Sequence, residues 1–161
     1  MNVYDFAMKM ELDGKAYYER LSSETPVAAL HNIFLSLAAD EQKHYETVRD
    51  LKAGKVADMA ESSALEKTRS LFDRPSAERE AAAGLKNVLE GYRHARKIEA
   101  DSIRFYEDMA KKEANPDALR LILQIAEEER KHYNIMDNIC DFVQAPQTYL
   151  AWAEFSNLKE F

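Results

Sequence analysis

Two Glu-x-x-His motifs, Glu41-Gln42-Lys43-His44 and Glu129-Arg130-Lys131-His132, lie 88 residues apart, and a further glutamate stands 30 residues before each, Glu11 and Glu99. Residues three apart on an α-helix project from nearly the same face. Each motif can therefore offer a carboxylate oxygen and an imidazole nitrogen to one ion. A glutamate on a neighbouring helix can then bind one ion or bridge two. Four carboxylates and two imidazoles in two matching sets are the ligand inventory of a di-metal centre inside a four-helix bundle. One imidazole per metal among oxygen donors suits two iron ions, with manganese or a mixed pair as the alternative, better than a tetrahedral zinc site. A single Glu-x-x-His is usually a solvated acid beside an ordinary histidine. Two of them, each interrupting an apolar stripe and each with a glutamate 30 residues upstream, are hard to reach by accident.

Other residues stand close to this set. Tyr18 and Tyr106 follow Glu11 and Glu99 by seven residues, two turns along the same face. They read equally well as phenols bonded to ligand carboxylates or as core tyrosines with satisfied hydroxyls. Asp40 and Glu128 precede the motif glutamates and could accept the second N–H of a histidine on the opposite hairpin, or be solvated surface acids. Gly14 and Ser102 are small neighbours that leave room beside the glutamates. His31 and His94 fall off the ligand stripes and read as surface residues. Met10, Met109 and Met136 read as core filler, and Cys140 as a buried, inert thiol.

Positioning such a set requires four long helices. The first is expected from about Asn2 to Ser22, with Asn2 as its N-cap and Val3, Phe6, Ala7, Met10, Tyr17, Tyr18 and Leu21 at helical spacing. The second opens at Thr25-Pro26, a capping residue before a helix-initiating proline, and stops near Lys52 before Gly54. A crossover over 54–75 holds a short helix near Ser63–Phe72, where Ser63-Ala64-Leu65-Glu66 fits a capping box. The third long helix starts between Ser76 and Leu85 and reaches about Glu113. The fourth starts at Asn115-Pro116 and ends near Val143. At an offset of 88, Tyr4/Tyr92, Ala7/Ala95, Tyr18/Tyr106, Leu35/Leu123, Ala38/Ala126 and Tyr45/Tyr133 are identical pairs. This gapless repeat implies two αα-hairpins related by an approximate two-fold and joined by one long crossover. The expected class is all-α, with residues 1–145 as the bundle. A helical tail over 146–161, carrying Tyr149, Leu150, Trp152, Phe155 and Leu158, is expected to pack on the bundle or on a second copy.

Composition agrees with long helices. The chain has 161 residues, enough for one sizeable core, and only four glycines and four prolines. Its formal net charge of −7 and its lack of a basic cluster argue against a nucleic-acid partner. Neither a leader pattern nor a membrane-length apolar run is present, so no membrane role and a cytoplasmic location are expected. One cysteine excludes an internal disulfide and a four-cysteine metal centre.

Over residues 1–143 these features resemble the rubrerythrin branch of the ferritin-like superfamily, on the strength of Glu11, Glu41-x-x-His44, Glu99, Glu129-x-x-His132, the internal repeat, Tyr18 and Tyr106. The resemblance implies a ferritin-like four-helix bundle, a non-haem di-iron centre, reduction of hydrogen peroxide or dioxygen, and a homodimer. Two departures stand out. Rubrerythrin proper carries a four-cysteine rubredoxin module, whereas this chain has one cysteine, so its electrons would come from a separate donor such as a rubredoxin-like protein. Rubrerythrins also usually carry a further glutamate three residues after the ligand on the third helix, and here that position is Ser102. The alternative expectation is ferroxidase activity, iron binding or metal buffering without turnover.

Overall fold

A computed structural model of the chain describes residues 2–72 and 88–144. Among the described residues it contains five helices and no strand: α1 (Val3–Glu24), α2 (Ala28–Lys52), α3 (Ala64–Phe72), α4 (Leu89–Lys112) and α5 (Pro116–Gln144). α1 packs chiefly on α2, and α4 on α5, giving two antiparallel hairpins, while α3 lies in the crossover against α2 and α5. The architecture is an all-α, ferritin-like bundle. No helix among the described residues is long and apolar enough to cross a membrane.

The helix ends follow local chemistry. Asn2 accepts a hydrogen bond from the Asp5 amide at 2.9 Å and caps α1. Asn115 does the same for α5, accepting from the amides of Asp117 and Ala118 at 2.9 and 3.2 Å. α2 closes with Gly54 at φ 78°, the Gly54 amide bonding Leu51 O and the Lys55 amide bonding Asp50 O. That left-handed turn satisfies two orphan carbonyls and is the conformation glycine adopts most cheaply.

Thr25 departs from expectation. It is the C-cap of α1 rather than the N-cap of α2, which begins at Ala28 after Val27. Its hydroxyl is taken by the Tyr92 hydroxyl at 2.9 Å, a contact between the hairpins. At α3 the Ala64 amide is bonded by Ser62, not Ser63. Val3 and Phe6, placed on the apolar stripe of α1 by spacing, are 42% and 50% exposed. Phe6 instead packs at a tilt against Phe105, ring centroids 5.0 Å apart and ring planes 32° from parallel. Of the two off-stripe histidines, His94 is exposed and His31 is half-buried, its ring bonded to Thr25 O. The expected start of the third long helix and the tail with Tyr149, Trp152 and Phe155 lie outside the described residues.

The core is divided in two. One apolar cluster joins Tyr18, Leu30, Phe34, Tyr92, Ile139 and Phe142. The other joins Ala7, Val48, Met109, Leu121, Ile122 and Ile125. On each long helix the residues of the two clusters flank a buried acid: Glu11 on α1, Glu41 on α2, Glu99 on α4 and Glu129 on α5. A polar layer therefore crosses the bundle between two hydrophobic plugs.

Candidate metal centre

Helical periodicity brings this polar layer together. Ala7, Glu11, Gly14 and Tyr18 share the buried face of α1, and Ala95, Glu99, Ser102 and Tyr106 that of α4. Glu41 with His44, and Glu129 with His132, point inward from α2 and α5. All six candidate ligands are at most 3% exposed.

Their donor atoms form two groups, Glu11–Glu41–His44–Glu129 and Glu41–Glu99–Glu129–His132, each with all its atoms within 4.8 Å of one another. His44 Nδ1 lies 3.0 Å from Glu129 Oε1 and 3.5 Å from Glu11 Oε2. His132 Nδ1 lies 3.1 Å from Glu41 Oε1 and 3.3 Å from Glu99 Oε1. The two imidazoles are stacked, with centroids 5.9 Å apart. Glu41 and Glu129 belong to both groups, while Glu11 and Glu99 each belong to one.

The outer atoms of the same residues are tied down. His44 Nε2 is 2.8 Å from Glu128 Oε1, and His132 Nε2 is 2.8 Å from Asp40 Oδ2, each acid reaching across from the other hairpin. A carboxylate can only accept, so each Nε2 carries the proton and each Nδ1 is left facing the centre. The Tyr18 hydroxyl donates to Glu99 Oε1, and the Tyr106 hydroxyl to Glu11 Oε1, both at 2.6 Å and again across hairpins. Gly14 matters for a steric reason: a Cβ there would sit 2.7 Å from Glu41 Oε2.

The inner atoms are not tied. Seven buried side-chain oxygens and nitrogens lack a hydrogen-bond partner among the described residues. They are Glu11 Oε2, Glu41 Oε1, Glu99 Oε2, both Glu129 oxygens, and Nδ1 of His44 and His132. Each orphaned buried polar group is costly, and all seven belong to the six converging residues.

Electrostatics carry the same message. Burial, with Glu11, Glu129 and Glu99 close by, pushes the Glu41 carboxyl well above its usual range. Burial and Glu129 push Glu99 up to about 7, against the pull of His132. Burial alone would lower His44 and His132, but the surrounding acids, led by Glu11 and Glu99 respectively, hold both well above normal. Burial also opposes ionisation of Asp40 and Glu128. There the histidine hydrogen bonds and Lys43 win, aided at Asp40 by Ser62, holding Asp40 at about 2 and Glu128 below its ordinary value. With all four inward carboxylates ionised the layer would carry four negative charges, which two divalent cations would balance. The residues present fit such a pair.

Sequence reasoning placed the six candidate ligands near one another and left Tyr18, Tyr106, Asp40 and Glu128 open between contact with them and ordinary core or surface positions; the structure brings all ten together. It did not single out Lys43 and Ser62, both of which touch the acids behind the histidines. The i,i+3 spacing of Lys43 from Asp40 is common on solvated helices, and the contacts made by Ala60 and Ser62 depend on where the crossover lies.

A family model described as rubrerythrin matches residues 2–140. Neither the curated proteins nor the solved structures give a match to the chain.

Proposed function

The chain belongs to the rubrerythrin family, the ferritin-like di-iron carboxylate proteins, and from that premise we propose that it binds two iron ions and reduces hydrogen peroxide or dioxygen with electrons from a separate donor. The observation that carries this reading is the set of seven partnerless buried donor atoms converging from two hairpins. Glu11 and His44 would serve one ion, Glu99 and His132 the other, and Glu41 and Glu129 would bridge. Manganese or a mixed pair fits the same donors. When bound, a ferrous pair supplies the two electrons that, with two protons, convert peroxide to two waters.

The chain's own residues set the conditions for that chemistry. Glu128 and Asp40 fix the tautomer and orientation of the histidines, which raises their basicity as ligands. Tyr18 and Tyr106 hold one oxygen of Glu99 and Glu11, leaving the other free to face the centre. The apolar plugs exclude water from either end, and Gly14 keeps space beside Glu41. A rubredoxin-like protein is the proposed electron donor, a homodimer the proposed assembly and the cytoplasm the proposed location.

The test is anaerobic loading with Fe(II), beside a Glu41→Ala control. About two tightly held irons per chain, lost in the control and oxidised rapidly on mixing with peroxide, is the expected result. Absence of stoichiometric iron would overturn the di-iron reading. A second reading is favoured by Ser102, which stands where rubrerythrins usually carry an extra glutamate: iron oxidation and retention without turnover. Slow re-reduction by any donor and uptake of many irons per assembly would support it.

A further inference from the structure

The Glu-x-x-His repeat is two-fold symmetric, but its surroundings are not. Lys43 and Lys131 occupy equivalent positions, each immediately before a candidate histidine. Lys131 forms no ion pair among the described residues. Lys43 lies with Nζ 3.1 Å from Glu128 Oε1, 3.6 Å from Asp40 Oδ1 and 2.5 Å from the Ala60 carbonyl oxygen, to which it donates. One ammonium therefore touches the acceptor of His44 and the acceptor of His132 at once, and pins both to the crossover. The Ser62 hydroxyl, from the same stretch of crossover, donates to Asp40.

This is not a solvated surface pair, whose contribution is small. The two carboxylates are 4% and 9% exposed, and the lysine side chain 20%. Two nearly buried acids beside one another repel unless a cation stands between them. Without it, either acid can gain relief by swinging outward. A cleft of about 570 Å³ lined by Asp40, Lys43, Ser63 and Lys67 gives Asp40 a route to water. Such a movement would release an imidazole N–H from its acceptor.

We propose that Lys43 is a positioning residue for both imidazoles: it holds Asp40 and Glu128 in place as a pair and through them fixes His132 and His44. The consequence for metal affinity rests on the di-iron reading above, whereas the consequence for the imidazoles does not.

The experiment has two arms, applied to wild type, Lys43→Met, Lys43→Arg and Lys131→Met. In the first, the metal-free chain is observed by proton NMR at the imidazole Nε2–H signals. Two low-field, slowly exchanging signals are expected in wild type and Lys131→Met. Both should shift and exchange faster in Lys43→Met, and both should return in Lys43→Arg. In the second arm Co(II) is titrated and followed by its visible absorption. Lys43→Met should bind about tenfold more weakly at both positions, the size expected when a histidine loses its outer partner. Lys131→Met should bind as wild type does. Unchanged imidazole signals in a folded Lys43→Met, or equal effects from Lys131→Met, would overturn the proposal. Failure of wild type to bind Co(II) would count against the di-metal reading, and the first arm would still decide the role of Lys43.

Discussion

Glu41 and Glu129 take part in both groups of converging donors, whereas Glu11 and Glu99 each take part in one. Under the di-iron reading this difference has a measurable form. Glu41→Ala or Glu129→Ala should reduce bound iron from about two per chain to near none, and Glu11→Ala or Glu99→Ala to about one. Equilibrium dialysis with elemental analysis reads the ratio, and equal losses from all four would refute the bridging assignment. Gly14 separates binding from folding. Alanine is favoured over glycine in a helix by about 1 kcal/mol, but its Cβ would stand 2.7 Å from Glu41 Oε2. The Glu41 carboxylate is the mobile partner and must move. Gly14→Ala should therefore leave the metal-free chain at least as stable to urea while weakening its hold on iron. A loss of stability without loss of iron would contradict the steric argument. These residues were legible in the sequence because ligand chemistry confines itself to few side-chain types, and a helix repeats its face every three to four residues. Lys43 was not, since lysines at this spacing usually solvate a surface and only the crossover makes this one different.

At the scale of elements, two sequence signals of the same form had different outcomes. Asn115-Pro116 opens α5 with a working side-chain cap, while Thr25-Pro26 ends α1 and leaves the opening of α2 to Val27. Tertiary structure explains the difference, because the Thr25 hydroxyl is engaged by Tyr92 of the other hairpin. Asn115→Ala should cost about 1 kcal/mol, a typical cap loss, confined to the start of α5. Thr25→Ala should instead weaken the contact between hairpins by about 1 kcal/mol. Hydrogen exchange distinguishes them: faster exchange in the first turn of α5 for the former, and around Tyr92 and the α1–α2 turn for the latter. A helix-opening effect of Thr25→Ala on α2 would restore the simpler reading. The hairpins themselves were legible from the 88-residue repeat. The inward or outward direction of Phe6 was not, because apolar spacing fixes a helical stripe without saying whether the neighbouring helix covers its whole width.

Over the whole molecule, the plug that contains Tyr92 and Cys140 predicts a response to alkali. Burial is the chief cause in both cases: it pushes the Tyr92 phenol up to about 12 and the Cys140 thiol up to about 11. In the unfolded chain they would ionise near their ordinary values, about 10 and about 9. The folded state therefore holds more protons than the unfolded state across this window, and stability must fall as pH rises. The loss begins near pH 9, and the thiol alone accounts for about 1 kcal/mol by pH 10. Urea midpoints from pH 7 to pH 10.5 should decline, and Cys140→Ala should flatten the earlier part of that decline. A midpoint independent of pH would show that both groups ionise as readily in the folded chain as in the unfolded one. The distribution of ligands between the hairpins has a different consequence. One hairpin alone carries three of the six candidate ligands, and each group of donors takes one member from the opposite hairpin. A short chain containing a single hairpin could complete the set only by meeting a second molecule of itself, so its site would dissolve on dilution. Joining two copies in one chain replaces that encounter with an effective concentration set by the length and stiffness of the connection. It also frees each copy to change alone, and Gly14 opposite Ser102, like Lys43 opposite Lys131, marks positions where the two halves have stopped being interchangeable.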